Sequence, residues 1–409
     1  MSTEATKPRQ LSPIEITRLT GLAALIFVIL ASYAIARPAT ESLFLDANGA
    51  TALPRAWLMV GVGSLGVVTL YNRWAATTDL VRIFGAASTI SGLILVAILL
   101  GFKLKLPGMT WWLYLWKDLY IVVLIEVFWS FANSTVPKDR AKWWYGLFCV
   151  LGSLGGMAGN LGVGWLATTT STEQSLWAVV PLLAIGGGGG IALARFAGVS
   201  AENKNATTTT LRDGFRVLQS SRSLWLLMGL IATTQVVITL VDYQFSIAIE
   251  QFYPDTDART AAIGQIYAAI DLAAISLQLS TGPILRLLGV PLVLLTIPGL
   301  LGAAVAGYAL IPRYAAIAAA KVASKAFDYS LFRAAKEILY IPLSHTERTQ
   351  GKAFVDMMSY RMAKGATSLM LMGLVGFGQP KLALWLTFAC VGLWVWITVR
   401  LNRSQRPAV

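Results

Sequence analysis

Residues 200–222 read SAENKNATTTTLRDGFRVLQSSR, a long polar interruption in a chain that is otherwise a succession of apolar runs. Asn, Thr, Lys and Ser at this density cannot bury a core, so residues 198–222 read as a linker. The stretch Leu211–Leu218 within it has the spacing of a short helix lying on a surface. Working outward from the linker, each side carries six apolar segments. A helix needs roughly 20 mostly apolar residues to cross a bilayer. By that criterion the predicted spans are 17–37, 56–74, 82–102, 111–133, 143–168 and 177–197 before the linker. After it come 223–247, 260–282, 289–309, 313–341, 354–377 and 381–401. The expected fold is an all-α polytopic membrane protein. Its parts are a tail (1–16), a six-helix half (17–197), the linker (198–222), a second six-helix half (223–401) and a tail (402–409). Six plus six around a long basic loop is the organisation of major-facilitator-type carriers, a fold-level analogy.

Composition agrees. Of 409 residues, 56% are hydrophobic and 13% charged, where a soluble domain carries about 25% charged residues. The net charge of +13 would suggest nucleic acid in a soluble protein. Here topology absorbs it. If both termini face the cytoplasm, the loops on that side hold Arg18, Arg73, Arg82, Lys138, Arg212, Arg216, Arg348 and Arg400 among others. The opposite loops hold only Arg55, Lys103, Lys105, Arg259, Arg313 and Lys381. That is roughly a threefold bias, and it orients the chain N-in and C-in with no nucleic-acid partner.

Two cysteines, Cys149 and Cys390, both in apolar runs, and one histidine, His345, exclude a disulfide framework and a histidine metal site. No nucleophile–base pair or cofactor motif is present, so neither enzymatic activity nor a cofactor is expected. The run Gly186–Gly190 lacks the Lys-Ser/Thr of a phosphate loop. Gly152, Gly156 and Gly159 have the spacing that lets helices approach closely. The N-terminus lacks a signal-type cleavage site and a Ser/Arg-rich transit segment, which suits a bacterial inner membrane better than a plastid envelope.

The informative residues are the charges inside the spans. Each costs roughly 2.5–3.5 kcal/mol at mid-bilayer unless it meets a partner or a water-filled cavity. Arg37 and Glu41, four apart, share a helix face, either as an interfacial ion pair or as part of a cavity. Lys117 and Asp118 lie two turns into the fourth span. Glu126 is on the face opposite Lys117, so one of those two faces the cavity and the other needs a neighbouring helix. Gln235 and Asp242 share a face of the seventh span. Tyr267, Asp271 and Gln278 form a polar stripe on the eighth, either a seam between helices or a substrate path. On the tenth, Lys321, Lys325, Asp328 and Lys336 fall in one sector about 80° wide. Asp356, Arg361 and Lys364 follow on the eleventh. Cations outnumber anions, so the expected substrate is a small anion held by charge-assisted hydrogen bonds.

These same residues carry a resemblance. DYSLFRAAKEILYIPL (328–343) and QGKAFVDMMSYRMAKG (350–365) resemble the ATP/ADP translocase family of plastids and intracellular bacteria. Tyr329, Ser330, Leu331, Phe332, Lys336, Glu337, Tyr340, Ile341, Pro342, Leu343, Gly351, Lys352, Ala353, Asp356, Arg361 and Lys364 match its pattern in order. FWSFAN (128–133) and LVDYQFSIAIEQFYP (240–254) are similar to two further family segments. The resemblance implies a major-facilitator-type nucleotide carrier with charged substrate-site positions. This chain departs at three of them, with Thr40 for a lysine, Lys117 for a glutamate and Asp242 for a glutamate. Lys336 is retained.

The combined expectation is a monomeric alternating-access carrier in the lipid bilayer for a small anion, a nucleotide among the candidates. Arg37, Lys117, Asp118, Asp242, Lys321, Lys325, Lys336 and Lys364 are the expected substrate-binding residues. Glu41, Glu126, Asp271, Asp328 and Asp356 are the expected ion-pair or coupling residues. Exchange needs no ion, whereas proton coupling needs a carboxylate, for which Asp242 or Asp271 is available. The rival readings are a proton-driven carrier of a metabolite, siderophore or drug, and a receptor or assembly factor that moves nothing.

Overall fold

The computed structural model describes residues 12–75, 77–136, 141–197 and 211–404. The first eleven residues, the first part of the linker (198–210) and the last five residues lie outside the described residues, as do Lys138 and Arg140. The chain is helical almost throughout. In order the α-helices are α1 (Pro13–Asn48), α2 (Leu53–Ala75), α3 (Leu80–Lys103), α4 (Met109–Thr135), α5 (Ala141–Thr169), a single turn α6 (Thr172–Ser175) and α7 (Val179–Ala197). Then come α8 (Leu211–Ser220), α9 (Arg222–Phe252), α10 (Thr256–Leu310), α11 (Tyr314–Phe327), α12 (Arg333–Leu339), α13 (Lys352–Gly376) and α14 (Leu382–Ser404). Eight helical stretches among the described residues are long and apolar enough to cross a membrane by themselves. This is a multi-pass membrane protein. The long stretches outside that set, α4, α11–α12 and α13, are those loaded with charge.

Local sequence explains the boundaries. Ser12 and Glu15 close α1 reciprocally as a capping box, followed by Pro13 in the first turn. The sequence reading ended this first span at Arg37. The helix continues to Asn48 with Pro38 inside it. Arg37 is therefore an interior residue of a long helix. A 55-residue α10 would extend roughly 80 Å at 1.5 Å per residue, far beyond a 30 Å hydrocarbon core. It breaks at Gly289, whose φ of 74° is open to glycine and strained for other residues. The two arms correspond to the separate segments 260–282 and 289–309 read from the sequence.

Asp328–Phe332 form a wide π-type turn between α11 and α12. Such a turn adds a residue to the local repeat and rotates everything after it relative to a regular helix. The helix read over Leu211–Leu218 is present as α8, with Leu218 buried and Gly214 set against Phe354 of α13.

Two apolar cores hold the bundle. One is drawn from α1, α3, α4, α5 and α7, including Leu22, Phe84, Phe128 and Phe148. The other is drawn from α9 to α14, with Phe44, Trp57 and Tyr114 joining it from the earlier helices. Helix α5 runs along α1 so closely that a Cβ at Gly155 would strike the carbonyl of Phe27, and one at Gly159 that of Ala31. On another side α5 meets α10, where Gly264 lies against the Asn160 carbonyl. The glycine motif is thus a packing device. The glycines at 186–190 are helical within α7, and Gly187 and Gly190 rest on Ser88 and Phe84 of α3.

The ends of α1 and α9 and the start of α10 are stitched together. Arg259, read from the sequence as a loop residue, is buried and donates to Asp46 at 3.2 Å and to the Pro254 carbonyl at 2.9 Å. Thr256 Oγ1 donates to Asp46 at 2.7 Å, and Glu250 accepts from the Ala50 N–H at 2.9 Å. The Thr172 N–H donates to Asp257 at 2.6 Å. This network closes the bundle at the end remote from Ser12.

Candidate functional site

Beneath that closure lies a cavity of about 230 Å³, lined by residues of α1, α2, α4, α9, α10, α11 and α13. Five cations reach it: Arg37, Lys117, Lys321, Lys325 and Lys364. Three carboxylates reach it: Glu41, Asp118 and Asp242. Three separate ion-paired groups result. Arg37 Nε meets Glu41 Oε1 at 3.1 Å. Lys117 Nζ meets Asp118 Oδ1 at 2.9 Å. Lys321 and Lys325 share Asp242, at 2.6 Å and 3.0 Å. Of the charges read inside the spans, the helices bring Lys117, Asp242, Lys321 and Lys325 together.

Lys364 stands apart. Among the described residues no carboxylate lies within 4.0 Å of its Nζ, and its side chain is exposed into the cavity. Its nearest partner of note is the Trp57 ring, 6.0 Å from Nζ. Five cations against three carboxylates leave an excess of two positive charges, one of them on this freely presented amine.

Aromatic residues orient the cations. The Arg37 guanidinium lies 3.9 Å over the Tyr267 ring, and Tyr267 Oη donates to Glu41 Oε2 at 2.7 Å. Lys117 Nζ lies 4.0 Å over the Tyr114 ring. Tyr33 Oη donates to Asp118 at 3.3 Å, and Trp57 Nε1 to Tyr114 Oη at 2.8 Å. Cation–π contacts are worth about 2 kcal/mol when desolvated. They hold Arg37 and Lys117 in place alongside their carboxylate partners. Tyr33, Trp57, Tyr114 and Tyr329 are site residues that the sequence reading missed. In a chain with 14 Trp and 13 Tyr they look like any membrane-interface aromatic.

A second chamber of about 510 Å³ adjoins the first and shares Tyr33, Arg37, Tyr267, Lys325 and Tyr329 with it. Asp271, Gln278, Asn160 and Arg333 line the second chamber alone. The Tyr267–Asp271–Gln278 stripe therefore faces both a helix seam and open space. Asn160 Nδ2 donates to Asp271 Oδ2 at 3.0 Å, and Gln278 Nε2 to the Tyr329 carbonyl at 3.1 Å.

Several expected site residues lie elsewhere. Lys336 lines neither chamber. It pairs with Asp356 at 2.9 Å, Tyr340 Oη also reaches Asp356 at 3.3 Å, and Lys352 pairs with Glu337 beside them. Fifteen residues separate Lys336 from Lys321, roughly 22 Å of helix axis, which carries it past the cavity. Asp356 belongs to this second cluster. Asp328 accepts from Gln235 Nε2 at 3.2 Å and lines neither chamber. Glu126 is exposed on α4. Thr40, set against a substrate-linked lysine by the family resemblance, is fully buried on α1 and absent from the cavity wall.

Residues 304–404 match the family model described as "TLC ATP/ADP transporter". Over 352 residues the chain is 24% identical to ADP,ATP carrier protein 3 of Rickettsia bellii (strain RML369-C), covering 71% of this chain and 69% of that one. It is also 24% identical over 332 residues to ADP,ATP carrier protein 1 of Chlamydia pneumoniae, covering 69% and 64%. The chain thus spans about two thirds of the length of the curated relatives it matches. Among solved structures, the nucleoside transporter NupG superposes with a TM-score of 0.71 at 12% identity, over 97% of this chain and all of that one. A bacterial homologue of the iron transporter ferroportin in an inward-facing state gives 0.72 at 12% identity, over 97% and 100%. Fold, site and relatives together define a secondary transporter of major-facilitator architecture, not an enzyme. By sequence it is similar to the ATP/ADP translocase family, whose model matches residues 304–404.

Proposed function

We propose that this protein carries an organic phosphate of the nucleotide class across a bacterial inner membrane by alternating access. One observation carries the reading: a cavity among charged helices with two positive charges more than its carboxylates offset, and Lys364 presented free. Phosphate oxygens satisfy such a site by charge-assisted hydrogen bonds. The names of the Rickettsia and Chlamydia relatives supply the nucleotide. Lys321, Lys325, Lys117, Arg37 and Lys364 would meet the phosphates. Asp242, Asp118 and Glu41 would hold the cations when substrate is absent and yield them when it arrives. Lys336 is reassigned to a structural cluster outside the cavity.

The twelve-span, two-half, N-in and C-in arrangement fits this reading, with substrate between the halves. A monomer suffices, because the cationic cavity lies within one chain. A second reading follows from size. The central cavity is smaller than the roughly 300–1,000 Å³ usual for ligand sites, which favours a smaller organic anion unless the adjoining chamber is used too. Counterflow of labelled ATP, ADP, AMP and glycerol phosphate, a small organic anion, in proteoliposomes separates the two. The nucleotide reading expects at least one nucleotide to exchange, while exchange of glycerol phosphate alone overturns it.

A further inference from the structure

Asp271 is a carboxylate in the transporter's interior with an incomplete set of partners. It projects from the first arm of α10, half-buried, into the larger chamber. Among the described residues no lysine or arginine nitrogen lies within 4.0 Å of it, in contrast to Asp242, held by both Lys321 and Lys325. Its hydrogen-bond partner is Asn160 of α5, whose Nδ2 donates to Asp271 Oδ2 at 3.0 Å. Asn160 is 5% exposed, and its Oδ1 is buried with no hydrogen-bond partner. A buried acceptor left unmade is costly.

The two features are complementary. A carboxylate only accepts, so it satisfies the amide N–H and leaves the amide oxygen empty. A carboxylic acid both accepts and donates. With a proton on Oδ1, the acid O–H can donate to Asn160 Oδ1 while Oδ2 keeps the amide N–H, closing a cyclic acid–amide pair. Gly156, one helical turn before Asn160, leaves room for this, since a Cβ there would fall 2.9 Å from Asp271 Oδ2. The other titratable or charged groups facing the chamber are Arg37 and Tyr33 from α1, Cys149 from α5, Tyr267 on α10 itself, and Lys325, Tyr329 and Arg333 from α11 to α12. None of the cations is close enough to pair with Asp271. Asp328, another carboxylate with no ion pair among the described residues, is bound to Gln235 of its neighbouring helix and lines neither chamber.

We propose that Asp271, with Asn160 as its partner, is a proton-binding site that couples transport to proton movement. The proton enters from water in the chamber, rides on Asp271 Oδ1 and leaves to water when the chamber opens to the other side. The Asn160–Asp271 bond joins α5 to α10, so gain or loss of the proton alters a contact between the two halves that must rock in alternating access. This rests on the carrier reading above.

The test has two arms, both on the full-length protein. Infrared titration of the purified protein, without substrate, reads carboxyl protonation directly. The proposal expects a protonated-carboxyl band that titrates in the wild type and is missing in Asp271→Asn, an amide that can still pair with Asn160. A titrating band unchanged in that variant overturns the proposal. In proteoliposomes with labelled ATP, ADP or AMP, an imposed pH gradient should drive accumulation in the wild type. Asp271→Asn should lose that response. Wild-type transport indifferent to the gradient, or a variant that still follows it, overturns the coupling. If no nucleotide crosses, the substrate reading fails, and the infrared arm still decides the proton site.

Discussion

Lys321 Nζ sits 2.6 Å from Asp242 Oδ1, bridging α11 to α9, with Lys325 at 3.0 Å on the other carboxylate oxygen. One anion thus holds two cations inside the bundle. Removing one member of a buried ion-paired group typically costs about 3–5 kcal/mol, because the survivor is left uncompensated. Asp242→Asn leaves two lysines facing each other, so the melting temperature of the purified protein should fall well below that of the wild type. An added anion that binds the cavity should restore more stability to this variant than to the wild type, by mass action. Equal stabilisation of both by ATP or ADP would detach Asp242 from the substrate site.

Lys364 and Lys336 should behave as opposites. Lys364 has no carboxylate partner among the described residues and faces open space, so Lys364→Ala should leave thermal stability near wild type and sharply weaken substrate binding. Lys336 is bonded to Asp356 and lines neither chamber, so Lys336→Ala should lower stability and leave substrate affinity nearly intact. Thermal-shift and uptake measurements on the two variants side by side check both halves of the statement.

Helix packing gives a third contrast. Leucine at Gly155 or Gly159 must push α5 off α1, since even a Cβ meets backbone there. Overpacking usually costs about 1–3 kcal/mol, and backbone contact places these at the upper end or beyond. Gly162→Ala, with nothing within 4 Å of the added carbon, should be nearly neutral. Yield and melting temperature in detergent distinguish them.

The closure beside Arg259 should govern access. Arg259 is 2% exposed and tied to Asp46, which is itself 55% exposed. Asp46→Asn weakens the tie without removing the buried guanidinium or its bond to Pro254. A cysteine introduced at Ser246, a cavity-lining position, should label faster from the α1 C-terminal side in that background. An unchanged labelling rate would mean that the network does not bar entry.

The architecture was legible because hydropathy runs and the polar stretch at 200–222 need no tertiary information. So was the convergence of Lys117, Asp242, Lys321 and Lys325, because a charge in an apolar helix must find a partner. The extension of α1 past Pro38 was hidden, since proline normally ends a helix and here does not. The displacement of Lys336 was hidden because a helical projection counts angle and ignores the roughly 22 Å of axis that separates it from Lys321. Asn160 was invisible as a partner of Asp271 because it lies 111 residues away on another helix. Its importance appears only when its buried amide oxygen is found unpaired.

The central claim, that the cationic cavity carries a nucleotide-class anion, is tested most directly by counterflow in proteoliposomes. Vesicles loaded with unlabelled ATP or ADP are offered the labelled nucleotide outside, with wild-type protein and with Lys364→Ala. The account predicts saturable accumulation of label by the wild type and its loss in the variant. No accumulation by a folded wild-type protein, or equal accumulation by both, would contradict it.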